Sequence, residues 1–211
     1  MSFFPFAIFG DNYDSLWDKV KEAQRKDLPR QVVDHAQKIY DKAAHEHNFP
    51  QLTKAWITLI ETKADIAPDS FNPAKIEPLE CHGPVEQALY DAIMATAYQT
   101  MRDSHISDFD VDTWVNYNDE AERRYDHLLD NMEALAKESS DKYLPLIKEG
   151  TDSRIYNHDL LSLLTRFIID HSKRTRSQKG EIAQRVAAFY KEHGNLNAYT
   201  LLTLQQLQLQ S

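Results

Sequence analysis

A chain of 211 residues with 42% hydrophobic and 27% charged side chains and a mean hydropathy of −0.60 has the composition of a folded globular protein rather than a disordered one. Its formal net charge of −9 excludes a nucleic-acid partner recognised through phosphates, which needs clustered Lys and Arg. Five glycines are few for an all-β fold with its many tight turns, and the single cysteine, Cys81, leaves no intrachain disulfide.

The opening "MSFFPFAIFG" is apolar from Phe3 to Phe9 but lacks a basic leader and a cleavage signature, and it is shorter than the roughly 20 residues that span a bilayer. Residues 1–12 are therefore read as an apolar segment packing on the first helix, with a signal remnant as the alternative. From Tyr13, the residues Leu16, Trp17, Val20 and Ala23 recur at helical spacing up to the breaker in "KDLPR". Pro29 opens a second helix carrying Val32, Val33, Ala36, Ile39, Tyr40, Ala43 and Ala44. Twenty-one residues later Pro50 opens a third, with Leu52, Ala55, Trp56, Leu59 and Ile60, so helices two and three form an antiparallel hairpin of the kind stacked in repeat proteins.

Residues 66–84 hold four of the eight prolines and read as an extended connection. After it, Val85, Ala88, Leu89, Ala92, Ile93, Ala97 and Met101 predict a fourth helix, and Ala121, Tyr125, Leu128, Leu129, Met132, Leu135 and Ala136 a fifth. A short apolar piece at 143–147 follows, then helices near 156–169, 181–192 and along "NAYTLLTLQQLQLQ". The expected fold is all-α, with antiparallel hairpins stacked in a tetratricopeptide-like array, forming one domain over 13–211.

Between the fourth and fifth helices, "DFDVDTWVNYND" puts Asp108, Asp110, Asp112, Asn116 and Asp119 at positions 1, 3, 5, 9 and 12 of an EF-hand-like loop. Thr113 stands where the loop needs glycine, and Asp119 is one methylene shorter than the usual bidentate Glu. The stretch reads as a linker anchored by Trp114, with Asn118 or Asp119 capping the next helix. His45 and His47 sit two apart, which on a helix points them in different directions. Cys81 and His82 lack the companions of a zinc site or a nucleophile pair. The basic run Lys173, Arg174, Arg176 and Lys179 reads as a solvated helix end. His158, Asp159, Asp170 and His171 read as polar ends bounding the stripe Leu160, Leu161, Leu164 and Phe167. Trp56, Tyr90 and Tyr98 fit core and binding surface alike. No catalytic, cofactor or metal residue is assigned. The alternative is a metal-dependent or other enzyme using the 108–119 loop or the region of His158 and His171.

Several of these segments together resemble a known family. "YDSLWDKVKEAQRKDLPRQVVDHAQKIYDKAAHEHNFPQLTKA", then "ALYDAIMATAYQTM", "DVDTW" and "SRIYNHDLLSLL", are similar to the N-terminal region of large alpha-2-macroglobulin-like proteins of Bacteroides-type bacteria. The resemblance implies a helical, repeat-like module of an exported cell-envelope protein, periplasmic or surface-exposed, in a protease-inhibitor or envelope-defence setting. Its implied partners are another protein or further domains of the same long chain, with no membrane span of its own. Family members trap proteases through a thioester in Cys-Gly-Glu-Gln, whereas Cys81 here stands in "ECHGPVEQ". Trap activity is therefore not implied, and the expectation is an excised N-terminal piece or a separate relative.

Overall fold

A computed structural model describes residues 12–67, 72–104, 111–147 and 155–210, with the side chains of 102–104 and 111–115 left out of the description. The apolar opening segment lies outside these residues. Among them are nine α-helices and no β-strand, apart from one antiparallel bridge between Ser139 and Asp159.

Three helices make the first unit. Helices α1 (Tyr13–Arg25), α2 (Pro29–His45) and α3 (Phe49–Ile66) each bury the stripe that their spacing predicts. Leu16, Trp17, Val20 and Ala23 of α1 meet Val32 and Ile39 of α2 and Ala55 of α3. Tyr13 donates its hydroxyl to Glu46 at 2.6 Å, and the Trp17 indole N–H reaches Gln51 at 2.7 Å. The start of α1 thus meets the end of α2 and the start of α3, so the helices run up, down and up.

The corners between these helices share one geometry. At the end of α1, Leu28 N–H bonds to the Ala23 carbonyl and Asp27 N–H to that of Gln24. At the end of α2, Asn48 bonds to Ala43 and His47 to Ala44 in the same way. Both are Schellman closures, which need a left-handed residue just past the helix; Asp27 and His47 supply it at φ 51° and 53°. Leu28 and Asn48 then begin the next helix directly, and the Asn48 side chain accepts from Gln51 N–H.

The residue contacts divide the chain into two compact units at Phe71 and Asn72. That division falls inside the proline-rich connection expected at 66–84. No composition shift marks it in the sequence.

The second unit opens with a 3₁₀ turn at Pro73–Lys75 and buries Leu79. Helix α4 (Pro84–Ser104) pairs with α5 (Val111–Leu129), and Ala88, Ala92, Ala95 and Ala121 are buried, which lets the two backbones approach. The expected fifth helix over 121–136 is split. Turn residues Asp130 and Asn131 end α5, and α6 (Met132–Lys137) follows. A 3₁₀ turn at Ser140–Tyr143 leads into the short apolar piece at 143–147, which continues as a turn closed by Leu146 and Ile147 N–H on the Tyr143 carbonyl.

Helix α7 (Leu160–His171) starts later than expected, behind the cap of Asp159. Helix α8 (Arg176–Glu192) starts earlier, because Thr175 and Gln178 form a reciprocal capping box. Helix α9 (Leu196–Gln210) follows a third corner of the same kind. There Gly194 has φ 75° and Asn195 N–H bonds to the Tyr190 carbonyl, while the Asn195 side chain accepts from Ala198 N–H at 3.1 Å. Among the described residues, no helix is long and apolar enough to cross a membrane.

Candidate functional site

Chemistry-bearing side chains gather in two places in the second unit. The first lies between α4 and α5. Asp91 is almost fully buried, and Arg124 donates to it at 2.9 Å, His127 Nδ1 lies 2.6 Å from its other oxygen, and Gln87 adds a bond at 3.2 Å. Arg124 also donates to Glu120 at 2.8 Å and lies over the rings of Tyr90 and Tyr98. A histidine held through Nδ1 by a carboxylate is oriented as in a catalytic dyad. The thiol nearest this cluster, Cys81, is half-buried, and burial, with Glu86 and Asp91 adding to it, pushes its pKa up to about 11. At neutral pH it holds little thiolate.

The second gathering is at the start of α7. Asp159 accepts from Ser162 N–H at 2.7 Å, from the Tyr190 hydroxyl at 2.5 Å and from the Asn157 amide. Burial raises the Asp159 carboxyl above its ordinary value despite these donors. Burial, reinforced by Asp159, raises the Tyr190 phenol as well. Both groups join the end of α8 to the start of α7.

Other candidates take separate places. Asp108 and Asp110 lie outside the described residues. Asp112, Asn116 and Asp119 fall within α5, so from Val111 onward the stretch is helix rather than a coordinating loop, and neither Asn118 nor Asp119 is a cap. Asn116 and Asp119 are exposed. His158 is at the surface beside Asp141 at 2.9 Å, whereas His171 is exposed at the other end of α7 against Phe167; they do not converge. Asp170 is exposed beside His171, but Asp159, expected as a polar end, is buried.

His45 ends α2 and His47 is the left-handed corner residue. His82 is exposed near Glu80 and Glu86. Trp56 and Tyr98 are core residues, and Tyr90 is half-buried. Among the described residues, no group of three or more His, Cys, Asp or Glu side chains is placed to hold a metal ion.

Two features escaped the sequence reading. Arg174, assigned to a solvated helix end, is largely buried and donates to Glu122 at 2.5 Å and Asp126 at 2.8 Å, pinning the α7–α8 link to α5. Together with Gln178 and Arg185 these residues line an open groove of about 530 Å³. The other feature is α9, which buries Ala198 and Leu202 while Leu196, Leu204 and Leu207 stand 67%, 52% and 57% exposed. Spacing in "LNAYTLLTLQQLQLQ" gives both faces leucines, a signal that was legible but was read only as helix. No family model, curated protein or solved structure matches the chain.

Proposed function

We propose that the chain is a non-catalytic helical interaction module that binds protein through the outward face of α9. One observation carries this reading: three leucines, each more than half exposed, lie along one side of that helix. An apolar stripe rimmed by polar residues is the kind of surface that can mark a protein-interaction site. The polar clusters support the same reading, because Asp91, Arg124, Asp159 and Tyr190 bond to one another's helices or to helix ends.

The three like corners at Asp27, His47 and Gly194 suit hairpins stacked in a tetratricopeptide-like array. In this proposal the setting is the one the sequence resemblance implies, an exported alpha-2-macroglobulin-like protein of the cell envelope.

A photo-cross-linking residue in place of the exposed Thr200, followed by fractionation of native cells and immunoblotting, tests both parts. The expected result is an adduct to another polypeptide, in the envelope fraction. Absence of any adduct contradicts the interaction module, and a 24.5 kDa species confined to the cytoplasm contradicts the macroglobulin setting.

A further inference from the structure

In the first unit, charged residues of α1 and α3 come together around Trp17. Trp17 and Lys21 stand four residues apart on α1, and Gln51 and Lys54 three apart on α3, so each pair shares one side of its helix. The Trp17 indole N–H donates to Gln51 Oε1 at 2.7 Å, and the Lys54 ammonium lies over the Trp17 ring, 4.2 Å from its centre. Since α1 and α3 run in the same direction, the turn after Trp17 carries Lys21 toward Lys54, close enough to oppose its charge.

Two lysines brought together repel, and their surroundings do not cancel the repulsion. Lys54 is partly buried and makes no ion pair among the described residues. Lys21 has Asp18 at 3.1 Å, but these side chains stand 65% and 72% exposed, where an ion pair counts for little. Gln51 uses its carbonyl oxygen on Trp17, which leaves its amide N–H groups to donate. Burial first, and Lys21 next, hold the Lys54 ammonium below its ordinary value, with Asp14 opposing them. A cation disfavoured in this way is stabilised by an anion brought to it.

Independently of α9, we propose that this seam between α1 and α3 is a binding site for a carboxylate, held by the Lys21 and Lys54 ammonium groups with the Gln51 amide donating to it. Ammonium and amide N–H groups are donors, and an ionised carboxylate is acceptor-only, so every contact is a charge-assisted or ordinary hydrogen bond. Asp14 and Asp18 lie close by and keep the local excess of positive charge small. That favours a monoanion over phosphate, which carries nearly two charges at neutral pH.

In ¹H–¹⁵N spectra of the purified full chain, the assigned Trp17 indole and Gln51 amide cross-peaks report on the seam. The chain is titrated in separate arms with sodium acetate, a tetraglutamate peptide and inorganic phosphate, at an ionic strength held constant with sodium chloride. The expected result is that a carboxylate arm moves both peaks to a plateau at lower concentration than phosphate does. A plateau with acetate supports the site and assigns it to small carboxylates; a plateau with the peptide alone supports it and assigns it to acidic polypeptide. Lys54→Met keeps a stem over Trp17 and removes the charge, and is expected to weaken binding by about tenfold or more. Should it fold poorly, Lys21→Met gives the same readout. No plateau in either carboxylate arm, tighter binding of phosphate, or a folded methionine variant that binds as the native chain does overturns the proposal.

Discussion

Asp159 accepts from the Ser162 amide at 2.7 Å and from the Tyr190 hydroxyl at 2.5 Å, so one carboxylate caps α7 and holds the end of α8. Asp159→Ala removes the cap and leaves a buried phenol without its acceptor, at an expected cost of about 2–4 kcal/mol in urea unfolding. Asp159→Asn keeps an acceptor oxygen and a competent cap. Its effect depends on pH. Burial holds the Asp159 carboxyl above its ordinary value, so the folded state binds this proton more tightly than the unfolded chain does. The resulting stability is complete below the unfolded carboxyl value and is lost as pH rises through the folded one. Relative to the native chain, Asp159→Asn therefore gains stability from acid to neutral pH. A difference that stays constant, or moves the other way, contradicts this role.

Among the elements, the α4–α5 hairpin depends most on one polar contact. Asp91 and Arg124 have side chains 4% and 14% exposed, and without Asp91 the largely buried Arg124 keeps Glu120 as its one carboxylate partner. Asp91→Ala is expected to cost about 1–3 kcal/mol, and replacing both residues by methionine to recover most of it, as is usual for buried ion pairs. Thermal unfolding of the two variants checks this; a double variant no more stable than the single one contradicts it.

Most helices could be located from apolar spacing, and the openings at Pro29 and Pro50 were legible because proline suits a first turn. The beginning of α5 was not. Its acidic residues read as a loop, although Tyr117, packed at 5.6 Å on Tyr98, continues the spacing of Ala121, Tyr125 and Leu128. The corners at Asp27 and His47 were hidden for a different reason. A left-handed residue announces itself when it is glycine, as at Gly194, and Asp or His adopts that conformation without a compositional mark. Arg174 could not be placed either, since its partners Glu122 and Asp126 lie about fifty residues away in the chain and spacing carries no long-range pairing.

For the whole molecule, α9 has two faces: Ala198 and Leu202 are buried in the fold, and Leu196, Leu204 and Leu207 are the exposed face proposed to bind. The direct measurement is the melting temperature, in dilute solution, of Leu204→Lys with Leu207→Lys beside Leu202→Ala. Lysine is nearly as good a helix former as leucine, and exposed positions away from special features change stability by about 0.5 kcal/mol or less. Truncating a buried leucine costs about 2–5 kcal/mol. The account predicts that the double lysine variant melts with the native chain while Leu202→Ala melts well below it. A double lysine variant that falls as far as Leu202→Ala would show that the outward leucines belong to the fold and contradict the assignment of that face to binding.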